Sequence, residues 1–319
     1  MNAFDHYTQP EPDGDDDGLQ LKARRLTTYS AEALRTAHVI DKLVVTHSDF
    51  RDGLAAMDRT FQLGHEFSVP KGLLLCGPPG SGKSTLIDYF QRSLPASKSI
   101  DPGMGAISIR LARSVALSTV VEAVLCRLDY PFPKVTSTTV GVKKGLSYQA
   151  VRRKGTRLIF VDEAHNLCRS SYGGGRAQGS GTALTNYFSE LMDVARVGLC
   201  LVGGPDLARL ADTDPFLASR CPVRLEFSNF TLSGPWLGVV KAFIKQCAGV
   251  DLSLLDTDRQ RKALHQATQG NLRSLKDLLT EMVLVAVDAG SRKLEVQLAS
   301  TAFDRVFGST ARSSNPWAS

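Results

Sequence analysis

Eight residues, Gly77-Pro78-Pro79-Gly80-Ser81-Gly82-Lys83-Ser84, carry the most specific chemistry in this 319-residue chain. Their spacing is G-x-x-x-x-G-K-[ST], the pattern of a phosphate-binding loop. Glycines there let backbone N–H groups turn toward phosphate oxygens with no Cβ in the way. A helix opening at the end of the loop points its positive end at the same anion. Lys83 suits the β- and γ-phosphates, the Ser84 hydroxyl suits magnesium, and Thr85 continues the loop. A second constellation is the carboxylate pair Asp162-Glu163 at the end of the apolar run Leu158-Ile-Phe-Val161. In a doubly wound sheet, ligands bind at the carboxyl ends of the strands. Asp162 suits magnesium held through a water, and Glu163 suits the task of polarising a water for attack on a γ-phosphate.

The elements needed to position these groups are legible around them. The apolar run at 73–76 reads as a buried strand into the loop, and Ser84-Thr-Leu-Ile-Asp-Tyr-Phe-Gln91 reads as the helix out of it. Further strands are expected near 106, 157, 198 and 223, alternating with helices near 117–128, 140–154 and 183–196. That alternation predicts a five-stranded parallel α/β core. Two helices precede it, near 30–43 and 48–63, with Ser30 and Ser48 as expected N-caps. His47, between them, reads either as a neighbour of a nucleotide base or as a plain surface residue. From Ser233 the pattern is helical only, near 235–247, 257–268, 271–288 and 298–307, and reads as a lid after the core. The expected domains are an acidic disordered tail over 1–25, a core over 26–231, a helical lid over 232–308 and a flexible tail over 309–319. Trp317 is expected to be an exposed aromatic in that last tail.

Composition bounds the rest. Apolar residues at 43% and charged residues at 22% are ordinary for a globular protein. No apolar run approaches a membrane span and no signal-type leader stands at residue 1, so the expected location is cytoplasmic. Six scattered cysteines without a C-x-x-C pair suit reduced, buried thiols. The net charge is +6, but residues 1–20 hold six acids and no Lys or Arg, so the remainder carries +12. A body that basic fits a polyanionic partner. Asp162-Glu-Ala-His165 also spells the DEAH box of one helicase group, but no second ATPase lobe with its arginine motif follows.

The order of parts resembles the AAA+ ATPases and, within them, the TnsC/TniB group of transposition regulators. The resemblance covers roughly residues 40–290. It rests on the P-loop, on Val124-Leu-Cys-Arg-Leu-Asp-Tyr-Pro131 and on Leu158-Ile-Phe-Val-Asp-Glu-Ala-His-Asn-Leu167. It continues through Leu201-Val-Gly-Gly-Pro-Asp-Leu207 and Asp214-Pro-Phe-Leu-Ala-Ser-Arg220. It implies a P-loop AAA+ core with a C-terminal helical lid and slow, assembly-dependent hydrolysis of ATP with Mg2+. Lys83, Glu163 and Arg220 would be catalytic, Arg220 as an arginine finger reaching a neighbouring subunit. Gly77, Pro78, Pro79, Gly80, Ser81, Gly82, Lys83, Ser84, Thr85 and Arg273 would hold the nucleotide, Arg273 as the lid's sensor arginine. Ser84 and Asp162 would serve the metal.

The same resemblance implies rings or filaments of the chain on duplex DNA, bound without regard to sequence through Arg110, Arg113, Ser118, Lys134, Thr136, Thr138, Lys143 and Lys144. Lys, Arg and hydroxyl groups on phosphates bind backbone and read no bases. The implied partners are a transposase and a target-selection protein or RNA-guided complex, with no membrane. This chain departs from the group at Gly204, where a polar sensor residue is usual. Two other readings stay open at this point. One is a related ATPase of secretion or envelope function; the other is a nucleotide-gated adaptor that does not hydrolyse.

Overall fold

A computed structural model describes residues 29–67, 69–113, 116–169, 182–247, 249–308 and 314–318. The acidic tail over 1–25 and most of the Gly/Ser-rich stretch over 168–181 lie outside these residues.

In chain order the elements are α1 (Ala31–Lys42), α2 (Ser48–Glu66), β1 (Gly72–Cys76), α3 (Lys83–Ser93), β2 (Ala106–Arg110), α4 (Leu117–Arg127), α5 (Val140–Arg153) and β3 (Leu158–Asp162). They continue with α6 (Asn166–Arg169), α7 (Ala183–Ala195), β4 (Gly198–Gly203), a 3-10 turn (Pro205–Arg209), α8 (Leu210–Thr213), α9 (Pro215–Arg220) and β5 (Val223–Glu226). Then come α10 (Gly234–Gln246), a second 3-10 turn (Ser253–Asp256), α11 (Asp258–Thr268), α12 (Leu272–Asp288) and α13 (Val296–Phe307).

The five strands form one sheet in the order β2-β3-β4-β1-β5, and every pairing is parallel. The period-2 pattern sorts the strand residues onto two buried faces. Leu74, Ile107, Ile109, Ile159, Val161, Leu199 and Leu201 share one core with α4, α5 and α7. Leu73, Leu75, Leu158, Phe160, Cys200 and Val202 share the other with Phe50 and Met57 of α2 and Leu86, Ile87 and Phe90 of α3. A sheet covered on both faces has continuous apolar strands, as 73–76 and 158–161 have. Register puts Arg110 beside Asp162, Cys76 beside Gly203 and Cys76 beside Glu226. The carboxyl ends of all five strands therefore form one edge.

The chain divides into two compact units. One holds the sheet, Val44–Val239 together with Thr268–Leu275. The other groups the described residues through Leu43 with Val240–Ala267 and those from Lys276 onward. Thus α1, expected with the core, falls with the C-terminal helices. Inside this second unit Tyr29 donates to Glu281 Oε1 at 2.5 Å, Arg305 lies over the Tyr29 ring and Lys276 donates to the Asp41 carbonyl.

Two local expectations are corrected. Ser30 caps α1 by accepting from Ala33 N, but α2 opens at Ser48 itself after His47, and the Ser48 hydroxyl turns to Asp49 instead. Trp317 is not an exposed docking aromatic: it is 5% exposed. Its Nε1 donates to Gln260 at 2.5 Å and its ring packs on Phe303. The Asn315 side chain, bonded to Ser300 and Asp304, anchors the turn that delivers it. A buried indole brings a large apolar area and still needs a partner for its N–H, and both needs are met here.

Candidate functional site

The P-loop leaves β1 at the sheet edge and turns into α3 with the backbone its glycines permit. Gly80 and Gly82 have φ of 80° and 95°, a region L side chains rarely adopt. At Gly80 a Cβ would also sit 2.4 Å from Asn271 Oδ1. The loop is held from three directions. Gly77 N donates to Gly203 O on β4 at 3.2 Å. Lys83 Nζ bonds the Gly77 and Pro78 carbonyls at 2.8 Å each. Asn271 Nδ2 bonds Pro79 O at 2.9 Å, and Arg273 N bonds Gly80 O at 3.1 Å. Burial pulls the Lys83 ammonium below its ordinary value, and the charges of Asp162 and Glu163 oppose that shift. Both carboxylates are therefore electrostatic neighbours of the P-loop lysine.

Asn271 escaped sequence reasoning. Its Oδ1 accepts from the N–H groups of Arg273 and Ser274, so one side chain starts α12 and grips the P-loop. The Gly270-Asn-Leu-Arg273 string marks a helix start but not its distant partner. Arg273 is exposed, and its backbone N–H bonds the loop at Gly80.

Beside the loop, His47 is neither exposed nor polar-paired. Its ring is 9% exposed and lies 4.9 Å from Phe230 and 6.2 Å from Phe227. Neither ring nitrogen has a hydrogen-bond partner among the described residues. Phe227 N donates to Cys76 O, so this aromatic box adjoins the start of the P-loop. Burial lowers the His47 imidazole below its ordinary value. Buried polar atoms are costly when unpaired. Both nitrogens are closed off by neighbouring protein atoms, and the glycine cradle beside the box fits phosphates. The residues present fit the phosphates of a nucleotide. Ser84 and Asp162, both at the sheet edge, are oxygen donors of the kind magnesium takes.

Glu163 has φ of 56°, a left-handed backbone that is uncommon outside glycine and tends to occur where function fixes it. Its N–H bonds Asp162 Oδ1. Arg110 Nη2 holds Glu163 Oε1 at 3.1 Å, and His165 Nδ1 lies 3.3 Å from Oε2. The same Nδ1 accepts from Gly204 N at 3.2 Å.

Other expected site residues lie elsewhere. Arg220, at the end of α9, donates through Nη1 and Nη2 to the two carboxylate oxygens of Asp193 on α7. Lys144 pairs with Glu190 at 2.6 Å, which also receives the Tyr148 hydroxyl. This lysine contact, first among the causes, holds the Glu190 carboxyl below its ordinary value. Arg110 and Lys144, both expected on a polyanion surface, thus already have carboxylate partners. Lys143 bonds the Phe132 carbonyl and lies over the Tyr130 ring. The Thr136 hydroxyl bonds those of Thr138 and Thr139, which fixes the loop before α5. Ser118 is half-buried at the start of α4, whereas Arg113 and Lys134 are exposed, on the connections after β2 and α4. No helix among the described residues is long and apolar enough to cross a membrane. Cys76, Cys168, Cys200 and Cys221 are buried. Burial pushes the Cys168 thiol up to about 11 and the Cys221 thiol up to about 12, far from the thiolate form that reacts.

Comparison with known proteins adds the following. Residues 68–211 match the family described as an AAA domain. A proteasome-associated ATPase of Kribbella flavida is 26% identical over 175 residues, covering 52% of this chain and 27% of its own length. The chain thus spans about a quarter of that curated relative. The Aeropyrum pernix ORC1 protein, solved in complex with DNA, superposes with a TM-score of 0.60 at 17% identity, over 85% of this chain and 69% of its own. Cdc6p from Pyrobaculum aerophilum superposes with a TM-score of 0.61 at 15% identity, over 84% of this chain and 70% of its own. The fold is that of the P-loop AAA+ proteins.

Proposed function

With an AAA-type ATPase domain over residues 68–211 as the premise, we propose that this chain is an ATP-hydrolysing switch that assembles on duplex DNA and regulates DNA transposition. In this reading the switch controls assembly, and a partner transposase performs the chemistry on DNA. The observation that carries it is the Arg110–Glu163 ion pair. Arg110 ends the strand whose outgoing loop bears Arg113, and it holds the carboxylate suited to activating water. A polyanion drawing on the basic groups of that loop would compete for Arg110 and change the restraint on Glu163. Hydrolysis and polyanion binding thereby share one residue.

The roles follow from chemistry. P-loop amides and Lys83 bind the phosphates. Ser84, and Asp162 through a water, would hold magnesium, whose chemistry there would be neutralisation of phosphate charge. Glu163 orients and polarises the attacking water. Arg220 is the candidate finger for a neighbouring copy, and Asp193 holds it in the single chain, so assembly must break that pair. Arg273, beside the P-loop, is the candidate sensor on the helical side. Arg113, Lys134 and Lys143, with the hydroxyls of Ser118, Thr136 and Thr138, form the candidate phosphate-contacting set. The DNA in the ORC1 complex is consistent with this use of the fold and belongs to that protein.

Electron microscopy of the purified chain with long duplex DNA and a non-hydrolysable ATP analogue tests the reading. Nucleotide-dependent rings or filaments on DNA, lost in the Arg113→Ala, Lys134→Ala double variant, are expected. A protein that binds ATP yet stays off DNA at low salt would overturn the DNA reading. Transposition is tested separately: nucleotide-dependent recruitment of a purified transposase to those assemblies is expected, and its absence would overturn that part of the reading.

A further inference from the structure

We propose that His165 is the positioning residue of the hydrolytic site: held by the Gly204 amide just beyond β4, its ring stands against the Glu163 carboxylate and sets that group's direction, at a place where position 204 offers no side chain. The inference rests on the reading of Glu163 as the group that activates water.

The turn that carries His165 is fixed on both sides. Ala164 N donates to Val202 O on β4 at 2.8 Å, and Asn166 N donates to Glu163 O at 3.0 Å. Asn166 Nδ2 reaches Leu111 O beyond β2 at 3.1 Å. The imidazole therefore has little freedom and lies against Gly203 and Gly204. A Cβ at Gly203 would stand 2.9 Å from His165 N and 3.1 Å from its Nδ1. The first of these contacts is with backbone, so only glycine admits the ring in this place. At Gly204 a Cβ would be 3.8 Å from Nδ1, an ordinary contact, and its φ of −69° and ψ of 176° suit any residue. Position 204 has room for a polar side chain, and the histidine supplies the polar group instead.

The ring's Nδ1 has two claims on it. It accepts from Gly204 N at 3.2 Å and lies 3.3 Å from Glu163 Oε2. One ring nitrogen either accepts or donates. A neutral imidazole with its proton on Nε2 lends its lone pair to the Gly204 amide and turns the carboxylate oxygen away. A ring that carries its proton on Nδ1 donates to the carboxylate oxygen and releases the amide. The charged groups around this contact among the described residues are Glu163 from the end of β3, Arg110 from β2 and Lys83 from the P-loop, while the end of β4 brings Gly203 and, just beyond it, Gly204. Arg110 already holds the other oxygen, so the two side chains together determine the direction of the Glu163 carboxylate. Gly203 O accepts from Gly77 N, and the strand end that His165 touches is thereby also bonded to the P-loop.

The test compares ATP turnover, nucleotide affinity and imidazole spectroscopy in the full chain. His165→Ala is expected to lower kcat roughly ten- to a hundredfold, the scale of a misplaced catalytic group, with nucleotide affinity changed less than about twofold. His165→Asn, whose amide carries an acceptor and a donor, should recover most of kcat. His165→Ala combined with Gly204→Asn should recover part of it. Nitrogen-15 spectra of labelled histidine, assigned against His165→Asn, should show Nδ1 as a hydrogen-bond acceptor whose shift moves in Glu163→Gln. Wild-type turnover with an undiminished His165→Ala kcat would overturn the proposal. So would a His165 signal indifferent to Glu163→Gln, a result that stands even if His165→Ala does not fold. No turnover in the wild type beside tight ATP binding would sink the hydrolytic reading instead, and the spectra would still decide the His165–Glu163 contact.

Discussion

At the scale of single residues, Glu163 concentrates the site's constraints. A left-handed backbone, a cation on one carboxylate oxygen and an imidazole beside the other leave it few orientations. Glu163→Gln keeps the shape and removes the basicity. It is expected to retain ATP binding while turnover falls at least about a hundredfold, measured by phosphate release beside nucleotide affinity. The Arg110–Glu163 pair itself is exposed on the arginine side, so its removal should alter stability by less than about 1 kcal/mol. Its weight lies in orientation. His47 is the opposite kind of residue, buried and unpaired, and it gives a pH prediction. Burial holds its folded pKa below the ordinary 6.5. The stability it allows is present above that pH. As pH falls through and below 6.5 the unfolded chain takes the proton first, and that stability is lost. Urea midpoints should drop between about pH 7.5 and pH 5.5, and His47→Phe should flatten that part of the slope. An unchanged slope would show that the ring is not the titrating group.

At the scale of elements, the site is made by strand ends rather than by any one helix. The sheet order puts β3 between β2 and β4, and so Asp162-Glu163 falls between Arg110 and the Gly203-Gly204 pair. The N-terminus of α12 closes the P-loop through Asn271, a residue 192 positions from Pro79. Helix α7 carries Glu190 and Asp193 three residues apart, one facing α5 through Lys144 and the other facing α9 through Arg220. The terminal turn at 314–318 behaves as part of the helical unit. Trp317→Ala removes a buried ring and leaves Gln260 without its indole partner. A loss of about 3 kcal/mol is expected, seen as a lower midpoint for the helical unit in thermal unfolding. A midpoint within experimental error of wild type would mean that the tryptophan does not support this unit.

At the scale of the whole molecule, the charge distribution sets what the chain meets. Outside the first 20 residues it carries a net +12, and some of its basic side chains are held in internal pairs such as Lys144–Glu190 and Lys154–Asp101. The consequence is graded. Arg113→Ala and Lys134→Ala should each lower the slope of log affinity for DNA against log salt by about 1. Lys144→Ala should lower it less, because Glu190 already neutralises that lysine. Equal losses for all three would place Lys144 on phosphate and contradict the weight given to its internal pair.

The sequence by itself determined the parts that depend on neighbours along the chain. Eight P-loop residues fix their own backbone because glycine and lysine act over one turn. Apolar periodicity located all five strands and the longer helices between them, though not the short α6, α8 and α9, for the same reason. The tertiary structure decided which groups meet. Arg110 is 53 residues from Glu163, His165 is 39 from Gly204 and Trp317 is 57 from Gln260. No local pattern encodes such partners; they follow from strand order and register, which bring distant segments to one edge. That is why Arg110 and Lys144 read as free surface charge in the sequence and stand in ion pairs in the fold. It is also why the glycine at 204 reads as a missing side chain in the sequence, while in the fold the His165 ring stands beside it and bonds its amide.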